Sequence, residues 1–322
     1  GEIPLLNDAA FGIARPPAAL LEEAAALLDA PELRDAPAGI VALPDTGFYV
    51  ARPQPDDFLV FDAGPVGPDY NPGHAHSDTL SFELSLGGRR VVVDSGTFSY
   101  AADPWREYCQ STRAHNTVMI DGVEQTEKWG PWHFRVARRA KPADVDWYEH
   151  EGLVVFQGSH TGYDHLPGGP RHVRRVLLIE ARHWVVYDEV WGAGDHVAES
   201  FLHFHPEVTL TDDGASWRAD ASGHDLRVLF FGEGAVERLP ATESPPQGWY
   251  CPEFGLRLPQ AVLRATARGQ LPLRFGWALL PGVQEAEIAI ETSQKYIALR
   301  CRFDDATYLL RQTRGGRFHR AP

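Results

Sequence analysis

Residues Thr79–Leu86 alternate polar and apolar side chains with a period of two. Such alternation is typical of a strand with one buried face, because successive side chains of a strand point to opposite sides of the sheet. Gly87 and Gly88 follow, and the chain returns through Arg89–Asp94 with three consecutive valines. A glycine pair between two segments of this kind predicts a β-hairpin.

Short segments of the same type recur from about residue 47 onward, separated by Gly, Pro, Asp and Asn turns. The predicted strands are Asn116–Ile120, Leu153–Gly158, Arg174–Glu180, Trp184–Val190, Glu199–His205, Leu226–Gly232, Leu273–Leu280, Glu287–Glu291, Tyr296–Phe303 and Thr307–Arg311. Because no helical period intervenes, we expect antiparallel sheets stacked face to face. The predicted fold class is therefore mainly β, with one large antiparallel β-sandwich.

The beginning of the chain has a different pattern. Ala18–Asp29 contains strong helix formers after two prolines, and Leu20, Ala24, Leu27 and Leu28 are spaced for one helical face. Pro31 is expected to end this helix. We therefore divide the chain into a helical segment at 1–40 and the β-sandwich at 41–322.

Composition and charge narrow the function. The 322 residues include 44 acidic and 30 basic side chains, a formal net charge of −14. General nucleic-acid binding needs a basic face, so the excess of acidic residues argues against a nucleic-acid-binding protein. No apolar run approaches the roughly 20 residues that span a membrane. The three cysteines, Cys109, Cys251 and Cys301, are widely spaced and are interpreted as structural.

The densest group of chemically active side chains surrounds the predicted hairpin. His74 and His76 precede it, Asp94 ends it, and His115 follows after a loop. Residues two apart on an extended segment share a face, and the far end of a hairpin returns beside its start. Two imidazoles and a carboxylate suit Zn²⁺ as ligands. Three protein ligands of this kind leave the fourth coordination position of the ion open. The alternative is that these are ordinary polar residues at strand ends.

Two runs carry a family resemblance, namely residues 73–100 (GHAHSDTLSFELSLGGRRVVVDSGTFSY) and residues 106–125 (REYCQSTRAHNTVMIDGVEQ). Together they resemble the signature block of the heparinase II/III-like polysaccharide lyases, which include heparin, heparan sulfate and oligoalginate lyases. The resemblance implies an (α/α) toroid followed by an antiparallel β-sandwich, or supersandwich. The helical segment at 1–40 then corresponds to the end of a toroid that precedes this chain.

The resemblance also implies roles for individual residues. A zinc ion would be held by His76, Asp94 and His115, with its structural or catalytic role undecided. His74 would face the substrate and assist proton transfer. Most other catalytic groups, including a tyrosine, are expected in the toroid; Tyr100 is the candidate on this chain, with a core or surface tyrosine as its alternative.

Further residues are candidates for substrate contact. Arg106 and Arg113 could bind carboxylate or sulfate through the planar guanidinium fork, or could form salt bridges instead. Asn116 could bind sugar hydroxyls, or could cap a turn and brace His115. Two basic runs, Arg135–Lys141 and Arg171–Arg175, could line a groove for an acidic chain, or could be solvated strand faces. Aromatic residues between 105 and 148 could stack on sugars or fill the core.

The predicted function is that of a lyase that cleaves a uronic-acid-containing glycan by β-elimination, with an acidic polysaccharide or oligosaccharide and an upstream toroid as partners. Two alternatives are a non-catalytic glycan-binding or assembly module that retains the metal site, and a glycoside hydrolase on the same scaffold. The resemblance favours a periplasmic or secreted location. No signal peptide is recognisable, and the compartment is otherwise open.

Overall fold

The computed structural model describes residues 2–35, 37–129, 136–313 and 316–321. Helices are few and short in these residues. The α-helices are α1, Pro17–Leu28, and α2, Pro104–Gln110, and single 3₁₀ turns lie at Pro31–Arg34 and Thr112–Ala114. No helix among the described residues is long and apolar enough to cross a membrane.

A five-stranded antiparallel sheet follows the chain order without crossovers. Its strands are β1 (Gly39–Leu43), β2 (Phe48–Arg52), β3 (Phe58–Asp62), β4 (Phe82–Leu86) and β5 (Arg89–Val92). A four-stranded sheet contains, in spatial order, β15 (Ala235–Leu239), β20 (Val262–Gln270), β11 (Asp195–His203) and β6 (Val118–Ile120). A bridge between Val92 and Phe204 joins the two sheets.

An eight-stranded antiparallel sheet forms the centre of the molecule. In spatial order its strands are β12 (Thr209–Asp212), β13 (Trp217–Ala221), β14 (His224–Gly232), β21 (Leu273–Pro281), β10 (His183–Trp191), β9 (Arg171–Ile179), β8 (Leu153–His160) and β7 (Pro142–His150). The C-terminal sheet comprises β22 (Ala286–Thr292), β23 (Tyr296–Phe303), β24 (Ala306–Thr313) and β25 (Phe318–Ala321). Two small hairpins pair β16 (Thr242–Glu243) with β17 (Pro246–Gln247) and β18 (Trp249–Glu253) with β19 (Leu256–Pro259).

The central sheet is apolar on both faces because sheets cover it on both sides. Val154 and Phe156 of β8 pack towards the five-stranded sheet, in one core with Phe61 and Phe82. Leu153 and Val155 of the same strand pack in a second core with the C-terminal sheet. Alternate residues of one strand therefore belong to different cores, as the period of two requires. The mainly β, sandwich-type fold class is confirmed.

Most of the predicted strands are present within a few residues of their expected bounds. Tyr296–Phe303 is a strand with those limits, and the hairpin with its Gly87-Gly88 turn is formed by β4 and β5. The strands that the sequence pattern did not reveal include β1, β2 and β7. In β1 and β7 most positions are half-buried or exposed, which blurs the alternation of apolar and polar residues. Burial does alternate in β2, but its first four residues are all apolar, so the sequence shows no alternation there.

The predicted helix is present as α1, but its leucines are not buried against the described part of the chain. Only Ala25 is buried, whereas Leu27 is 77% exposed, and Leu20 and Leu28 are also exposed. The residues before the helix, by contrast, lie on the sandwich. Leu5 is buried, and its backbone N–H donates to Glu83 Oε1 at 2.9 Å.

Candidate functional site

The candidate site lies at one edge of the five-stranded sheet. In this antiparallel arrangement, β3 ends, β4 begins and β5 ends at the same edge. His76 lies in the loop between β3 and β4, and Asp94 follows β5. The Asp94 N–H donates to Glu83 Oε1 at 3.2 Å, so the two ends of the hairpin meet as the spacing predicts.

A glycine shapes the turn that carries Asp94. Gly96 has a φ of +71° and its N–H donates to Asp94 Oδ1 at 3.0 Å. A Cβ at this position would lie 2.3 Å from the carbonyl oxygen of Cys251. The D-x-G pattern therefore needs glycine both for the left-handed backbone and for the close approach of β18.

Asp8 connects the N-terminal segment to both histidines of the HxH motif. Its Oδ2 lies 3.0 Å from His74 Nδ1, and its Oδ1 lies 2.9 Å from His76 Nε2. The Arg106 guanidinium donates to both carboxylate oxygens. Burial alone would raise the pKa of Asp8, but the bonds to His76 and Arg106 outweigh burial and hold this pKa well below its usual range.

The second histidine of the motif lies against His115. Both rings are fully buried, with centroids 5.3 Å apart. Together with Asp78 they offer two nitrogens and a carboxylate oxygen within 4.8 Å of one another. His76 Nδ1 and His115 Nε2 are buried without a hydrogen-bond partner among the described residues. Buried imidazole nitrogens without a partner, on two histidines grouped with a carboxylate, fit a metal ion.

Asp94 also contacts this group, through the other nitrogen of His115. Its Oδ2 lies 2.7 Å from His115 Nδ1, and burial raises the Asp94 pKa well above its ordinary value. Burial lowers the pKa of His76 to about 4 and that of His115 to about 4. Both imidazoles are therefore neutral at pH 7, the state that binds a metal.

His74 is the open member of the site, with its side chain 62% exposed. The Tyr100 hydroxyl oxygen lies 3.4 Å from His74 Nδ1, and burial, followed by the Asp8 charge, raises the pKa of Tyr100 above its ordinary value. Phe254, at the tip of the β18–β19 hairpin, packs edge-on against Tyr100 at 5.0 Å between ring centroids. His74, Tyr100 and Phe254 thus form one exposed wall, which we call the aromatic wall.

Two candidates for substrate contact lie inside the molecule. Arg106 is fully buried, and its guanidinium is engaged with Asp8 and stacked 4.9 Å above the Tyr100 ring. The Asn116 side chain donates to the Phe82 and Val93 carbonyls, both at 2.9 Å. Asn116 therefore matches the bracing role rather than contact with a sugar.

The third candidate, Arg113, lies on a different cleft. That cleft has a volume of about 450 Å³ and is lined by α2 and the 243–246 turn, including Glu107, Glu124 and Glu243. The carbonyl of Arg113 accepts from His203 Nε2 at 3.1 Å, which ties the residue to β11. The structure therefore brings His74, His76, Asp94, His115, Tyr100 and Arg106 together and places Arg113 elsewhere.

Several residues of the two predicted basic runs are engaged in ion pairs. Arg139 is paired with Asp69, while Arg174 and Arg175 are buried in ion pairs with Asp188 and Glu189. The last two cannot line an open groove. Arg135, and Trp132 of the aromatic group, lie outside the described residues.

Sequence reasoning missed two acidic residues of the site. Asp78 follows His76 at a spacing of two, so the argument that paired His74 with His76 could have found it. Asp8 lies 66 residues before His74 in a segment without any strand pattern. Nothing local in the sequence announces that this segment returns to the hairpin.

The fold and site define a class of protein. The sequence matches the family model "Heparinase II/III-like, C-terminal" over residues 35–290, and the chain belongs to this family. Heparin-sulfate lyase of Pedobacter heparinus is 29% identical over 158 residues, which cover 47% of this chain and 21% of that protein. Heparin-sulfate lyase of Bacteroides stercoris is 24% identical over 126 residues, covering 37% of this chain and 16% of that protein.

Solved structures agree at the level of the fold. Heparan sulfate lyase HepC from Pedobacter heparinus matches with a TM-score of 0.75 and 18% identity, covering 100% of this chain and 50% of that one. A structure of heparinase III matches with a TM-score of 0.75 and 16% identity, covering 97% of this chain and 50% of that one. The chain thus spans about half the length of these proteins.

Proposed function

We propose that this chain is the β-sandwich portion of a polysaccharide lyase that cleaves a uronic-acid-containing glycan by β-elimination. One observation carries the proposal: an exposed imidazole, His74, is held by a buried carboxylate, Asp8, beside a tyrosine hydroxyl. Family membership supports it, because the curated relatives carry the name heparin-sulfate lyase.

The Asp8 contact gives His74 a defined orientation. A carboxylate at Nδ1 favours the tautomer with the proton on that nitrogen, which leaves Nε2 as the basic nitrogen. Nε2 can then receive the C5 proton of the uronic acid as the C4–C5 double bond forms. Tyr100 stays protonated at neutral pH and can donate its proton to the oxygen that leaves C4. The tyrosine and the asparagine or histidine that the resemblance places in an upstream toroid would add to these groups.

We further propose zinc as the metal at His76 and His115, with Asp78 as the carboxylate ligand in place of the expected Asp94, whose carboxylate meets the other nitrogen of His115. Zn²⁺ bound there would supply positive charge beside the reacting sugar and would cross-link the loops of the site. Asp8 and Asp94 contact the other ring nitrogens of the two histidines, an arrangement that fixes metal-ligating imidazoles in general.

Family membership supports an acidic glycan as the substrate class of this proposal. With a net charge of −14, the protein must meet an acidic glycan through local cations. Arg106 lies behind the aromatic wall with its guanidinium over the Tyr100 ring, but it is buried and paired with Asp8, so it would position Tyr100 and Asp8 rather than bind the glycan itself. Heparan sulfate and alginate are the two uronans to compare, one sulfated and the other not.

The test is an elimination assay. This chain, and a longer chain that includes the preceding part of its gene, are incubated with heparan sulfate and with alginate while ultraviolet absorbance is followed. β-Elimination creates a C4–C5 double bond conjugated to the carboxylate, so absorbance should rise. His74→Ala should lower the rate by two or more orders of magnitude. His150→Ala is the matched control, because the His150 side chain is equally open at 61% exposure.

The alternatives predict other outcomes. New reducing ends without the ultraviolet signal would indicate hydrolysis. Glycan binding by both chains without any cleavage would support the binding-module alternative.

A further inference from the structure

We propose that Arg174, anchored by Asp188, is a positioning residue that holds the two ligand loops of the candidate metal site in register. The ligand loops are residues 76–80, which carry His76 and Asp78, and residues 115–117, which begin with His115. The inference rests on the proposed metal site and adds a residue that lies outside it.

The Arg174–Asp188 ion pair is buried and held in one geometry. Arg174 lies on β9 and Asp188 directly opposite on β10, and both are almost completely buried. Arg174 Nε donates to Asp188 Oδ1 at 2.8 Å, and Nη2 donates to Oδ2 at 2.9 Å. His172 Nε2 lies 2.7 Å from the same carboxylate. This two-point geometry fixes the plane of the guanidinium.

The remaining guanidinium nitrogen joins the two ligand loops. Arg174 Nη1 donates to the Leu80 carbonyl at 2.8 Å and also to the Asn116 carbonyl. Leu80 lies two residues after Asp78, and Asn116 directly follows His115. A single planar group on the central sheet thus bridges the two loops, in addition to the direct bond from Thr117 Oγ1 to the Thr79 carbonyl at 2.9 Å.

Leu80 shows why the loop needs such support. It is a fully buried leucine with a φ of +64°, in the left-handed region that side chains with a Cβ disfavour. Strained residues of this kind persist only where neighbours fix them. The Leu80 N–H donates to the Asp62 carbonyl at 2.8 Å and its carbonyl accepts from Arg174, so both peptide groups are held.

Asn116 extends the same framework on the other loop. Its N–H donates to Ser81 Oγ at 3.1 Å, and its Oδ1 accepts from the His203 N–H at 2.8 Å. The loop that presents His115 is therefore tied to β11 and the start of β4, while Arg174 ties it to the central sheet. Loss of the Arg174 link should loosen the spacing of the two loops, because only the Thr117–Thr79 bond and its neighbours would then hold them together.

The neighbouring residue provides a matched control. Arg175 is also buried on β9, and its Nη1 donates to Glu189 Oε2 at 2.7 Å. Adjacent strand residues point to opposite faces, and Arg175 accordingly lies near Tyr187 and Phe318 in the second core. Arg175→Lys thus perturbs a comparable ion pair without touching the ligand loops.

The experiment compares Arg174→Lys and Arg175→Lys in the full chain. Lysine keeps the positive charge but has no fork that can hold Asp188 and two carbonyls at once. Zinc affinity is measured by competition with a chromogenic chelator, and amide hydrogen exchange of the ligand loops is measured in the metal-free protein. We expect Arg174→Lys to weaken zinc binding about tenfold, the low end of the loss caused by removing an outer partner of metal ligands, because Arg174 holds the neighbours of the ligands and not the ligands themselves. Amide exchange in both loops should become faster. Arg175→Lys should change neither by more than about twofold.

Equal zinc affinity and equal loop exchange in the two variants would overturn the inference. A wild-type chain that binds no zinc would instead overturn the proposed metal site. The amide exchange of the two loops would then be the only test of whether Arg174 positions them. If Arg174→Lys does not fold, Arg174→Met combined with Asp188→Leu removes the buried charges together, a change that proteins often tolerate.

Discussion

At the scale of single residues, the site is organised by carboxylates that touch imidazoles. Asp8 contacts His74 and His76, and Asp94 contacts His115. Each contact determines which ring nitrogen carries the proton and therefore which one remains for chemistry. The two histidines of the HxH motif consequently have different tasks: His76 turns a bare nitrogen inward, and His74 remains at the surface.

This division of tasks makes a prediction about zinc. His76→Ala should reduce zinc content from about one ion per chain to near zero, because it removes one of the two inward nitrogens. His74→Ala should retain the metal, since His74 is absent from the group of mutually close ligand atoms. Elemental analysis of the two purified variants measures the difference, and metal retained by His76→Ala would refute the ligand assignment.

At the scale of elements, short hairpins and loops bring distant segments to one edge of the five-stranded sheet. The β18–β19 hairpin places Phe254 on Tyr100, and the Gly255 N–H donates to the Phe98 carbonyl at 2.8 Å. The tip of this hairpin is therefore fixed beside the exposed histidine. Aromatic rings in such a position can stack on sugar rings.

The hairpin prediction concerns glycan affinity. Phe254→Ala should weaken binding of a heparan sulfate or alginate oligosaccharide by about 1 kcal/mol, or roughly fivefold, through loss of the stacking face. Leu256→Ala is the matched control, since Leu256 is 38% exposed on the same hairpin and Phe254 is 40% exposed. Titration calorimetry compares the variants. Equal affinities would remove Phe254 from the proposed substrate surface.

At the scale of the whole molecule, three stacked sheet layers bury ionisable groups whose pKa values then depend on folding. Burial lowers the pKa of His183 to about 4 and raises the pKa of Glu83 to about 7. The lowered pKa of His183 makes the free energy of unfolding larger at high pH. The raised pKa of Glu83 makes it larger at low pH. A single group must therefore be isolated by comparison with a variant.

His183 provides this comparison because it is buried at the start of β10, against Phe303 and remote from the candidate ligands. The unfolded chain binds a proton at His183 near pH 6.5, whereas the folded chain does so only near pH 4. The stability advantage of wild type over His183→Gln should therefore be complete above about pH 6.5. It should fall by up to about 1.4 kcal/mol per pH unit as the pH decreases towards 4.

Urea unfolding at pH 7, 6 and 5, with chelator present, measures this dependence. An advantage that stays constant over that range would contradict the prediction. His150→Gln controls for loss of a histidine as such, because His150 is exposed on the surface.

The sequence by itself determined the secondary-structure elements that have a local periodic pattern of apolar and polar residues. The period of two in Thr79–Leu86 and the glycine pair after it were sufficient for the hairpin, and the hairpin was sufficient to bring Asp94 back beside the start of β4. The helix of α1 followed from its composition in the same way. Strands with mixed burial, such as β7, lack this signal and were not found.

Only the tertiary structure decided which polar residues meet and which are buried. Asp8 joins the site from 66 residues away, and Arg113 turns to another cleft although it lies two residues before His115. Arg174 is a buried tie between loops rather than part of a groove. Strand periodicity is a property of neighbouring residues, whereas these contacts depend on how whole sheets stack. The sequence pattern therefore specifies the strands that form the sheets, and the packing of those sheets decides which polar residues meet at the candidate site.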